Sequence, residues 1–108
     1  MHSAFANSYK INYLLEVGST KPLAGAITVE KDKTTSISLE DFTIKLVLTE
    51  KGAKTVKISA DIWENSESNL HKQIGTCALI TKLNNTAKIT EIKRNAQYSL
   101  TVTPKRVP

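Results

Sequence analysis

The stretch "AITVEKDKTTSISLEDFTIKLVLTEK", residues 26 to 51, decides the fold, because a second stretch, "ALITKLNNTAKITEIKRNAQYSLTVTPKR" at 78 to 106, repeats its order of apolar runs and turns. With an offset of fifty-two, Ala26 falls on Ala78, Ile27 on Leu79, Asp32 on Asn84, Thr34 on Thr86 and Ile37 on Ile89. Four extra residues around Lys93 to Ala96 then bring Phe42 onto Tyr98, Ile44 onto Leu100 and Leu46 onto Val102. Turn positions correspond as well as apolar ones, which shared alternation alone does not require.

Within each copy the hydrophobic period is two. Phe42, Ile44, Leu46 and Leu48 alternate with Thr43, Lys45 and Thr49, so one side of an extended segment meets a core and the other meets water. Tyr9, Ile11, Tyr13, Leu15 and Val17 alternate in the same way upstream, and correspond to Val56, Ile58, Ala60 and Ile62 in the segment 54 to 64. Tyr98, Leu100 and Val102 close the series. No window shows helical spacing with caps, and Thr, Val and Ile are abundant.

Turn signals stand between these runs: Gly18-Ser19-Thr20, Lys31-Asp32-Lys33, Glu40-Asp41, Lys51-Gly52-Ala53, Asn84-Asn85 and Arg94-Asn95. The chain therefore reads as all-β, about eight antiparallel strands in one domain over 7–108, with repeat halves at about 9–50 and 54–104. Two halves with one apolar face each predict a two-layer β-sandwich with a pseudo-twofold. Eight strands also suffice for a closed β-barrel, the alternative. The polar run "ENSESNLHKQIG", 64 to 75, reads as the longest loop.

In the second copy, Ala87 and Ile89 form an A-x-I strand, and Tyr98, Leu100, Val102 and Pro104 form a Y-x-L-x-V-x-P strand. This succession resembles a duplicated β-rich module of bacterial exported and envelope proteins. The glycine such tight turns favour is replaced by Asp32-Lys33 and Asn84-Asn85. The resemblance covers most of the chain and implies fold and export rather than any chemistry.

Export also follows from the start of the chain. Ala4-Phe5-Ala6 is the small-x-small pattern that a signal peptidase reads, so 1–6 is expected to be the remnant of a signal peptide and Asn7 the start of the mature chain. An ordinary disordered terminus is the other reading. Cys77 is the one cysteine, which rules out an intramolecular disulfide, and its apolar surroundings predict a buried thiol. An exported chain without disulfides points to a periplasmic or secreted bacterial protein. No apolar run is long enough to span a membrane as a helix.

Catalytic constellations are not legible. No metal site, cofactor loop or nucleophile elbow can be read, and the ten acids stand largely in turns or beside lysines. The net charge of +5 is spread along the chain, and the aromatics Tyr9, Tyr13, Phe42 and Tyr98 fall on core faces, which argues against nucleic acid. Trp63 has the outward parity of Lys57, Ser59 and Asp61. A regular strand presents it to solvent as a binding anchor, whereas a bulge tucks it onto the rim of the sandwich. Asn69 and His71, in the loop beside it, are the polar candidates for the same surface. The expected protein is a non-enzymatic binding or accessory module that contacts a protein partner, with unpaired edge strands as a second contact surface or a route to a homodimer. Alternatives are a secreted host-interaction factor, or a small carbohydrate-binding protein or hydrolase using the 64 to 75 loop.

Overall fold

A computed structural model describes residues 8–18, 21–39, 41–65, 72–93 and 96–107. The expected signal-peptide remnant, 1–6, lies outside the described residues. Eight strands follow one another: β1 Ser8–Val17, β2 Leu23–Glu30, β3 Thr35–Ser38, β4 Phe42–Glu50, β5 Thr55–Glu64, β6 Lys72–Lys82, β7 Ala87–Lys93 and β8 Ala96–Arg106. They form two antiparallel four-stranded sheets, ordered β2-β1-β8-β7 and β3-β4-β5-β6. The all-β sandwich expected from the period-two runs is the fold observed.

The closed barrel does not form, and the strand order shows how near it comes. Following the ladders from β1 to β2, then β3 to β6, then β7 to β8 and back to β1 gives an up-and-down meander. That circuit lacks a ladder between β2 and β3 and another between β6 and β7. At those two seams the chain crosses from one layer to the other, so the barrel is split and flattened into a sandwich with four edges.

Both crossings use the same turn. The Lys33 amide donates to the Glu30 carbonyl at 3.2 Å, and the Asn85 amide to the Lys82 carbonyl at 3.1 Å. Each turn holds its third residue in the left-handed region, Asp32 at φ 63° and Asn84 at φ 69°. Asp and Asn tolerate that conformation better than other residues bearing a Cβ, which is why they stand where glycine was the expectation. Each turn is tied to the facing hairpin, the Asp32 amide donating to the Leu48 carbonyl at 2.8 Å and the Asn84 amide to the Pro104 carbonyl at 2.7 Å.

The repeat therefore extends to hydrogen bonds and register. Ile11 opposes Ile27 and Ile58 opposes Leu79; Ile37 opposes Ile44 and Ile89 opposes Leu100; Leu15 opposes Leu100 and Ile62 opposes Ile44. One expectation changes, since the halves are not the two layers. Because the turns at Asp32 and Asn84 are crossings, each half gives one hairpin to each sheet, and the halves interlock.

The core is the inward phase of all these strands. Tyr9, Ile11 and Leu15 of β1, Ile44, Leu46 and Leu48 of β4, Ile58 and Ile62 of β5, and Leu100 and Val102 of β8 are fully buried. Truncating any one of the buried Leu or Ile residues to Ala costs about 2–5 kcal/mol through lost transfer energy and the cavity left behind. All of them stand on the central strands, each flanked by a paired strand on both edges.

Pro104 sits within β8 without breaking it. The Val107 amide donates to the Ser8 carbonyl and the Gly18 amide to the Gln97 carbonyl, which fixes the hydrogen-bonded phase of the β1–β8 ladder. Pro104, opposite Ile11, lies in the other phase, so its nitrogen faces the β7 side. There the ladder has already ended at Ala87–Val102, and no hydrogen bond is lost.

Candidate functional site

The loop expected at 64 to 75 is shorter, because β6 begins at Lys72. Between the pairs Ile62–Gly75 and Trp63–Gln73 the register shifts, which makes Ile74 an extra residue on β6. Ile74 and Gly75 are consequently both buried, and this break in the period hides the start of the strand in the sequence. Gly75 has a packing reason: a Cβ there would stand 2.4 Å from Cε1 of Tyr98.

The shift bears on Trp63. Its indole lies on the outward phase of β5, flanked in register by Thr43 of β4 and Gln73 of β6, and is half-buried. The ring nitrogen Nε1 is buried and has no hydrogen-bond acceptor among the described residues. Around it the outer face is polar: the Thr43 hydroxyl donates to Asn65 Oδ1 at 2.9 Å, the Gln73 amide to the Thr76 hydroxyl at 2.8 Å, and that hydroxyl to Asp61 Oδ1 at 3.0 Å. Asn69 and His71 lie outside the described residues.

At the seam between β6 and β7, Tyr98 points inward beside the Cys77 thiol and the Glu91 carboxylate, its nearest polar neighbours, and among the described residues its hydroxyl makes no hydrogen bond of good geometry. Burial, then the thiol and the carboxylate, push the Tyr98 phenol well above the ordinary tyrosine range. Burial likewise raises the Cys77 thiol, so it is not poised as a nucleophile. Among the described residues no three His, Cys, Asp or Glu side chains converge to hold a metal.

The opposite end of the sandwich gathers charge in a way the sequence conceals. Glu50, at the end of β4, accepts a hydrogen bond from the Tyr9 hydroxyl, lies 3.2 Å from Lys31 Nζ and 3.9 Å from Arg106 Nη2. The Arg106 guanidinium also stands over the Tyr9 ring, 5.7 Å from its centroid, and donates to the Ala53 carbonyl at 3.4 Å. The Tyr9 hydroxyl, then Lys31, hold the Glu50 carboxyl below its ordinary range. Beside Arg106 opens a pocket of about 300 Å³ lined by Ala53, Lys54, Leu83, Asn84 and Arg106. Residues of β1, β4 and β8 meet here with the turns that follow β2, β4 and β6, so lysines far apart in the chain become neighbours.

The edges differ in how well they are protected. β3 is four residues long and β7 carries Lys88, Glu91 and Lys93, both ordinary devices against adventitious pairing. β6 runs from Lys72 to Lys82 with no charge from Gln73 to Thr81, and Ile80 on its outer face is 64% exposed. The corresponding edge β2 carries Thr28 at that place.

No protein family, curated protein or solved structure matches the chain.

Proposed function

We propose that the protein is a non-enzymatic binding module of the bacterial envelope or the extracellular space, and that it takes an extended segment of a protein partner along the open edge of β6. The observation that carries this reading is β6 itself: a long, uncharged edge with an exposed Ile80 opposite Lys57 toward one end and, on the same outer face, the half-buried Trp63 of β5 opposite Gln73 toward the other. Main-chain groups on an unpaired edge supply affinity, and outward side chains at alternate positions supply specificity. Trp63 adds the aromatic anchor that such surfaces commonly use.

The test is capture from an envelope extract of the native host with Ile80→Lys and Trp63→Ala beside the wild type. A specific protein recovered by the wild type and lost with Ile80→Lys supports the edge, and its loss with Trp63→Ala supports the anchor. Equal recovery by all three overturns the reading. Sedimentation of the purified chain identifies the case in which the added strand comes from a second copy. Fractionation with N-terminal sequencing of the mature product tests export, and an intact Met1 in the cytosol would sink it.

A further inference from the structure

The pseudo-twofold exposes a difference between the two halves at the charged end. Glu50 corresponds to Arg106, because Glu50 opposes Val56 and Arg106 opposes Tyr9 in corresponding registers. Lys31 corresponds to Leu83, one residue before each left-handed turn position. In the first half, position 31 answers position 50, with Lys31 Nζ 3.2 Å from Glu50. In the second half the strand end is a cation and the turn residue is apolar. Among the described residues, Arg106 thus has no acid beside it in its own half, and the space is the open pocket.

We infer that this pocket, lined by Ala53, Lys54, Leu83, Asn84 and Arg106, takes a carboxylate side chain from an acidic segment of a protein partner. It rests on the reading of the protein as a protein-binding module and names a second contact, at the end of the sandwich remote from Trp63.

Charge at this end supports it. Lys33 is matched by Glu30, and Lys31 and Arg106 converge on Glu50. Lys51, Lys54, Lys82 and Lys105 have no carboxylate partner among the described residues, and Asp32 is the one further acid in these strand ends and turns. The Arg106 guanidinium is half exposed while its position is fixed by the Tyr9 ring and the Ala53 carbonyl. A held, planar guanidinium loses little freedom when it pairs with a carboxylate. The Leu83 side chain, packed against the core, gives the pocket an apolar wall for the methylenes of a glutamate. Nucleic acid is the poorer fit, since Tyr9 is fully buried beneath Arg106 and offers no face for a base.

The test is a titration of the full chain with N-acetyl-hexaglutamate amide, followed by amide chemical shifts in about 50 mM salt, where screening is modest. Saturable shifts at Lys54, Leu83, Asn84 and Arg106 are expected. Arg106→Gln with Lys54→Gln should weaken binding about tenfold, whereas Lys21→Gln with Lys45→Gln, equal in charge and away from the pocket, should change it less than about twofold. Because Arg106 also braces Glu50 and Tyr9, Lys54→Gln alone serves as the second variant, with about threefold weakening and an unchanged melting temperature.

Absence of saturable binding, equal weakening by both double variants, or tighter binding of oligothymidylate than of hexaglutamate would overturn the inference. The peptide titration does not involve β6. If hexaglutamate fails to bind while capture still depends on Ile80, the pocket is refuted and the edge stands. If it binds while Ile80→Lys leaves capture unchanged, the edge is refuted and the pocket stands.

Discussion

Glu50 and Arg106 occupy corresponding positions in the two halves of the chain and meet at one end of the sandwich, Oε2 of one 3.9 Å from Nη2 of the other. A pseudo-twofold brings corresponding positions together near its axis, so identical residues here would juxtapose like charges at a cost of about 1 kcal/mol even in a water-like medium. The two halves carry opposite signs at this place, and an inherent repulsion becomes an attraction. The same asymmetry leaves Lys31 satisfied and the Leu83 side open.

Glu50→Gln should lower stability at pH 7 by about 1 kcal/mol, since it leaves Lys31 and Arg106 without their shared carboxylate in a half-exposed setting. The effect carries a pH signature. The Tyr9 hydroxyl and Lys31 depress the carboxyl in the folded state, so its contribution is complete above the unfolded value of about 4.3 and is lost as pH falls through the folded value. Urea denaturation of wild type and variant should therefore give curves that separate near neutrality and converge in acid. A gap that persists unchanged at pH 2 would mean that Glu50 acts through packing.

Strand identity, the number of strands and the repeat were legible because period-two burial operates on every strand. Phe42 to Leu48 and Tyr9 to Val17 announce one buried side and one wet side without help from the rest of the chain. What stayed hidden depends on three-dimensional neighbours. The start of β6 was obscured because Ile74 and Gly75 are both inward at a register shift, which mimics loop composition. The charged end was hidden because Lys31, Lys54, Lys82 and Arg106 are separated by more than twenty residues each and become neighbours only when strand ends align. That the turns at Asp32 and Asn84 cross between layers was equally beyond reach, since a hairpin and a crossing of this length share their turn chemistry.

Tyr98→Phe should leave stability at pH 7 within about 0.5 kcal/mol of wild type or slightly above it, because the buried hydroxyl makes no hydrogen bond of good geometry among the described residues, with only the Cys77 thiol and the Glu91 carboxylate as polar neighbours. Phe42 stands at the corresponding position of the other half, and shows that the sandwich takes the ring without the oxygen. The difference should appear in alkali. Burial, then the Cys77 thiol and the Glu91 carboxylate, raise the phenol in the folded state, so the wild type keeps this stability below the unfolded value of about 10 and loses it as pH rises toward the folded value. The variant should resist alkaline unfolding better in a pH titration followed by circular dichroism. Equal alkaline midpoints would show that Tyr98 never ionises before the chain unfolds by another route.

Gly75→Ala should destabilise by about 1–3 kcal/mol, because the added Cβ meets a ring rather than a flexible side-chain end, with Cε1 and Oη of Tyr98 at 2.4 and 2.6 Å. The ring is buried and cannot swing into solvent. Combining the change with Tyr98→Leu should cost clearly less than the two single changes together, as steric coupling requires. Additive costs in a thermal-denaturation cycle would place the damage in the β5–β6 register shift instead.

The turns at Asp32 and Asn84 provide the strictest check on the equivalence of the halves. Both residues hold positive φ, both close an i to i+3 bond in the same register, and both donate their amide to the end of the facing hairpin. Asp32→Ala and Asn84→Ala should therefore each cost about 1 kcal/mol, since a Cβ without a short polar group resists the left-handed region. Asp32→Gly and Asn84→Gly should each be neutral or gain a few tenths of a kcal/mol, the relief of φ strain being offset by the greater freedom of glycine in the unfolded chain. Denaturant midpoints for the four variants should then fall into two pairs sorted by substitution. Sorting by half instead, with one turn sensitive and the other indifferent, would show that one crossing holds the layers together and the other merely follows.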